Sequence, residues 1–133
     1  MNPLFVDDIG RLVLRLTLGV LTLFHGVAKI LNPEVLNYIG GKLTDLGLPH
    51  SMAYLVYVGE VVAPLLIILG IYSRIGGVVV MINMLFALAL VHSTQLLTLS
   101  KNGGWALELQ GFYLFCGLAV LLLGSGKIAI KPD

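Results

Sequence analysis

Five side chains able to bind or pass a proton stand inside, or at the ends of, apolar stretches of this 133-residue chain: His25, Lys29, Glu60, His92 and Glu108. Imidazole exchanges protons near neutrality because its ordinary pKa is about 6.5. A carboxylate beside it can relay that proton, and a nearby ammonium tunes the charge of both. Two carboxylates, two histidines and a lysine at similar depth can also neutralise one another, which makes their burial tolerable. Two roles are therefore open: a structural network of ion pairs that fixes helix order, or a polar pocket that binds or reacts with a ligand. The second is preferred, since ionisable groups within a membrane mark pathways and ligand sites. His25 and His92 lack the His-x-x-His spacing or Met/Cys cluster of a metal or haem site, so no metal is assigned to them. They are read as proton relays or as hydrogen-bond partners of a quinone. Cys116 is the one cysteine, which leaves no intrachain disulfide and no CxxC redox motif. In an apolar helix it reads as packing.

The elements that must position these groups are membrane helices. The chain is 58% hydrophobic and only 11% charged, against about 25% charged in soluble domains. Its net charge of +1 gives no basis for nucleic-acid binding. The first span is predicted from Gly10 to Leu31. At ~100° per residue, Arg11, Arg15, Thr22, His25, Gly26 and Lys29 share an arc of roughly 100°, so this polar stripe must face other helices or a wet cavity. Asp7 and Asp8 before the apolar run, and the lack of a small-x-small cleavage pattern, mark a retained helix rather than a signal peptide. Asn32-Pro33 ends it.

From Glu34 to Leu46, Val35, Leu36, Ile39, Leu43 and Leu46 recur at helical spacing between polar residues. This predicts a short interfacial helix that roofs the polar cluster, weakened by Gly40-Gly41. Gly47-Leu48-Pro49 makes a turn. A second span is predicted from Met52 to Ile71, with Glu60 inside it and a kink at Pro64. A third runs from Ile75 to Leu97, carrying Asn83 near its middle and His92 near its end on opposite faces. A fourth runs from Trp105 to Gly124. The predicted fold is thus an all-α membrane protein of one domain, residues 1–133. It is a four-transmembrane-helix up-down bundle with a short interfacial helix between the first and second spans. Arg11, Arg74, Lys127 and Lys131 lie on the side of the termini, and Lys29, Lys42 and Lys101 on the other, which places both termini in the cytoplasm. Gly19, Gly26 and Gly76-Gly77 permit close helix approach, either within one bundle or in a homo-oligomer.

In this arrangement His25, Lys29, Glu60, His92 and Glu108 share the half of the bundle away from the termini. Arg11 and Arg15 sit toward the terminal face and Asn83 nearer the midplane, as structural polar residues. Lys29 and Glu60 are predicted to be mutual partners, although upright helices would separate them by about 12 Å in depth.

The sequence resembles the DoxX family of small four-span bacterial membrane proteins. The matching features are Arg15 with Gly19, His25-Gly26-Val27-Ala28-Lys29, Gly47-Leu48-Pro49, Gly59-Glu60, and Leu69-Gly70 followed by Arg74. Further along come Met84-Leu85-Phe86-Ala87 with His92, Glu108, and Gly124-Ser125-Gly126. The resemblance extends over nearly the whole chain. It implies a multi-pass protein of the bacterial inner (plasma) membrane, associated with quinone-linked oxidation or with membrane oxidoreductase complexes. It points to His25, Lys29, Glu60, His92 and Glu108 as the functional cluster. With no cofactor-binding motif of its own, such a chain needs quinone or a partner oxidoreductase subunit for any redox role. The alternative is a non-enzymatic assembly or scaffolding protein whose charges only hold the bundle.

Overall fold

The computed structural model describes residues 2–133. Among them the regular structure is helical, with two isolated β-bridges and no strand. Helix α1 spans Pro3–Leu31. It starts earlier than the apolar run because Asn2 caps it, its side chain accepting from the Leu4 amide at 3.0 Å, with proline in the first turn. Asp7 and Asp8 therefore lie within the helix. Asp8 is buried, 3.5 Å from Arg11, and accepts from the Lys127 amide at 3.1 Å.

Helix α2, Glu34–Asp45, forms where the apolar spacing places it. Gly40 does not break it, because the absent Cβ is where the His50 ring packs. Leu36 and Leu43 bury against Ala53, with Met52, Tyr57 and Leu90 packed around them. This segment closes one end of the molecule.

The second long rod, α3, covers His50–Leu69. It begins as a 3₁₀ turn and passes through a π-helical turn at Val58–Val62. Pro64 has no N–H for the carbonyl of Glu60, and the Ala63 amide instead reaches back to Val58. The irregularity predicted at Pro64 is thus a π-turn centred on Glu60. Helix α4 is Ser73–Leu90 and α5 is Glu108–Leu123. Helix α1 packs on α3 and α5, α3 on α4, and α4 most extensively on α5.

Three helices, α1, α3 and α4, are long and apolar enough to cross a membrane. The fourth predicted span is shorter in the structure. Helix α5 has 16 residues, a rise of about 24 Å against a hydrocarbon core of about 30 Å. It starts three residues after Trp105, whose indole instead donates to the Leu96 carbonyl at 2.8 Å and closes the preceding loop. Helix α4 likewise ends at Leu90 rather than Leu97, and Ser93–Gln95 form a 3₁₀ turn.

Lipid is as apolar as leucine, so helix association here rests on close packing rather than on expulsion of water. The core joins Leu18, Ala63, Ile67, Val80, Met84, Tyr113 and Val120 from all four rods. The glycines serve contacts within the chain: Gly19 against Pro64 and Ile68, Gly76 against Ile67, and Gly77 against Gly117.

At the end near the termini, Arg15 is the organising residue. Its side chain is almost fully buried, and its Nε donates to the Ile67 carbonyl at 3.0 Å. Its Nη atoms donate to Ile68 at 3.2 Å, Ser125 at 2.9 Å and Ile128 at 2.7 Å. Two of these carbonyls belong to the last turn of α3, which has no intrahelical donors left for them. The other two belong to the tail 124–133, which folds back so that its Ile130 and Lys131 amides reach the carbonyls of Leu69 and Gly70. Gly70 adopts φ +73° against the guanidinium, where a side chain would strain the turn and displace Arg15. Arg15→Leu should destabilise the protein by about 3 kcal/mol or more, as several buried carbonyls lose a charged donor at once. Thermal unfolding in detergent checks this, with Arg15→Lys expected to fall between the variant and the parent.

Candidate functional site

Of the polar stripe of α1, Arg15, Thr22 and Gly26 are buried, together with Gly19; Arg11 and Lys29 are half-buried, and His25 is exposed. Gly26 fixes the register of α1 against α3. A Cβ there would overlap the carbonyl of Glu60, the same carbonyl that Pro64 leaves without an amide. Gly26 and Glu60 therefore lie level, and Lys29 stands three residues, about 4.5 Å, further along α1. The nominal depth gap disappears because the first turns of α3 rise past the end of α1, where α2 covers them.

Lys29 Nζ donates to Glu60 Oε1, and the two form an ion pair. The carboxylate is 4% exposed, so its second oxygen also needs a donor. Asn83 supplies it, Nδ2 to Oε2 at 3.3 Å. The Tyr57 hydroxyl donates to the Lys29 carbonyl at 3.4 Å near the end of α1. The predicted Lys29–Glu60 partnership is present, and Asn83 belongs to it rather than standing apart at mid-depth.

His92 comes to the same place by a different route from the one expected. On a continuous helix it and Asn83 would face opposite ways. Because α4 ends at Leu90, the following turn brings His92 back over the end of the helix, and both residues line one cavity with Lys29 and Glu60. Its Nδ1 lies 2.9 Å from Gln95 Oε1, and its Nε2 lies 3.5 Å from Gln110 Nε2. A neutral ring with its proton on Nδ1 satisfies both contacts, donating to the Gln95 oxygen and accepting from the Gln110 amide.

Two chambers meet at this group. One, of about 210 Å³, lies under α2 and is lined by Lys29, Tyr38, Glu60, Asn83, Phe86 and His92. The other, of about 100 Å³, lies between α1 and α5. It is lined by Thr22, His25, Gln110 and Tyr113, with Lys29, Glu60 and His92 shared. His25 is exposed at its edge, its ring meeting that of Tyr113 edge-on at 5.7 Å. The Thr22 hydroxyl is fully buried there and has no hydrogen-bond partner among the described residues.

Glu108 does not join this group. It is exposed, in the first turn of α5, beside Gly104 of the preceding loop. An acidic side chain is favoured there by the helix dipole, and starting the helix at Glu108 rather than at Trp105 leaves it outside the bundle. Arg11 and Arg15 are also remote, at the opposite end. Gln110 and Tyr113 take the place expected of Glu108. Their i, i+3 spacing puts both on one face of α5, a polar pair in an apolar helix that the search for ionisable groups passed over.

The DoxX family model matches residues 10–93, which include Lys29, Glu60, Asn83 and His92 but not α5. A protein of Bacillus subtilis (strain 168) named "Putative oxidoreductase CatD" is 30% identical over 133 residues, covering 99% of this chain and 90% of that protein. No solved structure matches the chain.

Removing one member of the buried pair leaves the other charge uncompensated. Lys29→Met and Glu60→Gln should each cost about 3–5 kcal/mol, and the double variant less than the sum of the two. A double-mutant cycle read by thermal stability measures the coupling; additive losses would show that the two side chains act independently.

Proposed function

This chain belongs to the DoxX family, and from that premise we propose that it binds the headgroup of a quinone in the chamber under α2 and serves a membrane oxidoreductase system. The observation that carries this reading is the convergence of Lys29, Glu60, Asn83 and His92 from α1, α3, α4 and the turn after α4. Buried and half-buried polar groups of both signs, roofed by an amphipathic helix, offer donors to a ligand oxygen and a carboxylate to exchange its proton. A chamber of about 210 Å³ lies below the ~300–1,000 Å³ range of drug-sized pockets, so it suits a single-ring headgroup. The relative's name, an oxidoreductase, agrees in class.

In this reading Lys29 and Asn83 donate to a quinone carbonyl, and Glu60 and His92 pass protons to and from it. The chamber between α1 and α5 holds the Thr22 hydroxyl and His25 on the path from Glu60 to the α1–α5 seam. Electrons come from a partner subunit, since Cys116 is the single cysteine and forms no redox pair. We place α5 as a fourth, shorter span, both termini in the cytoplasm, and the protein in the bacterial inner membrane. The competing reading is a scaffolding protein. It is favoured by the completeness of the Lys29–Glu60–Asn83 group, in which both carboxylate oxygens already have donors.

Solvent extraction of the purified protein followed by mass spectrometry should recover a quinone, and added quinone should bind with a loss of about tenfold or more in Asn83→Leu. A protein that carries no quinone and binds none, yet keeps its cellular function, would be a scaffold.

A further inference from the structure

A second cavity, of about 240 Å³, lies between α2, α3 and α4, and it is almost wholly apolar. It shares Ile39, Val56, Asn83, Phe86 and Leu90 with the polar chamber, so the two spaces adjoin along a common wall. Asn83 is the single polar side chain lining this cleft among the described residues. The mouth is formed by Leu55, Val58, Ile82 and Phe86, each exposed by 43–58% on the outer faces of two helices long and apolar enough to cross a membrane. The π-turn joins the two environments. Val58 and Gly59 of that turn line the cleft, while Glu60 of the same turn presents its carboxylate to the polar chamber. A polar chamber that adjoins an apolar cleft along one wall has the shape of an amphiphile.

Resting on the quinone reading above, we infer that the cleft between α3 and α4 takes the apolar tail of the same ligand. The headgroup then enters sideways from the bilayer, past Phe86 and Asn83, rather than from water beneath α2. The natural substrate class is therefore a prenylated quinone, and a water-soluble, tailless quinone is a fragment of it. Leaving lipid for the cleft brings the tail no hydrophobic gain. The cleft acts by giving the tail a place while the headgroup is held, so its shape decides which ligands reach Glu60.

The test uses the full chain in nanodiscs of one fixed lipid composition. Binding of radiolabelled 2,3-dimethoxy-5-methyl-1,4-benzoquinone is compared with that of its 6-decyl analogue. Ile82→Trp and Leu55→Trp fill the cleft from opposite walls at exposed positions, and each is compared with the parent so that partition into the bilayer cancels. The decyl compound should bind about tenfold more weakly to either variant, with the tailless compound changed less than about twofold. Equal losses for both compounds, or none for either, would overturn the inference and leave the headgroup site standing; the cleft would then hold only bilayer acyl chains. If the parent binds neither compound, the site reading and the inference fall together. A decyl analogue with a diazirine at the tail end supplies a measurement that needs no variant. Photolysis should label peptides containing Leu55, Val58 or Ile82, and labelling confined to other segments would overturn the inference.

Discussion

A carboxylate at 4% exposure within an apolar bundle constrains everything around it. Glu60 can be ionised there only if both oxygens are met, and each of its partners is delivered by a separate structural device. Gly26 brings α1 close enough for Lys29 to reach Oε1. Gly59 does the same for α4, since a Cβ at that position would overlap the Asn83 side chain that serves Oε2. The π-turn shifts the angular position of Glu60 relative to a regular α-helix, and Pro64, which has no N–H, frees the carbonyl that Gly26 covers. Replacing any of these with a bulkier or more regular element would separate the charges and leave one of them alone in the membrane.

The opposite end of the molecule answers the same constraint with different chemistry. Among the described residues Arg15 has no carboxylate in contact and is satisfied by four backbone carbonyls. Helix termini carry surplus carbonyls with partial negative charge, so a buried guanidinium at the end of α3 joins two helices to the tail without a carboxylate in contact. This leaves Glu60 free to pair with Lys29. Arg15 and Glu60 thus occupy separate ends, one structural and one placed beside cavities.

Between the ends, the polar group has two kinds of neighbour. On the α5 side lie Thr22, His25, Gln110 and Tyr113, which can hold and orient protons. On the α3–α4 side lies a cleft of apolar side chains. The proposed function uses both sides, polar side chains on one and an apolar cleft on the other, for a molecule that dissolves in lipid and gains or loses protons when it reacts.

The all-helical class, the polar stripe of α1, the roof at Glu34–Asp45 and the Lys29–Glu60 pair were legible in the sequence, because each follows from periodicity or from the cost of an unpaired charge. Helix ends were not. Whether a helix stops at Leu90 or Leu97, and whether it starts at Trp105 or Glu108, is decided by local turns: the 3₁₀ turn at Ser93–Gln95 and the indole contact to Leu96. Those few residues reversed two assignments, bringing His92 and Asn83 into one cavity and leaving Glu108 outside it. The partners of Arg15 were hidden too, since backbone carbonyls leave no mark in a sequence and only the folded tail brings Ser125 and Ile128 to the guanidinium. Sequence determined which residues had to be buried together, through charge and spacing. Tertiary structure alone decided which of them meet, because contact depends on where each helix ends and how closely its glycines let the next one approach.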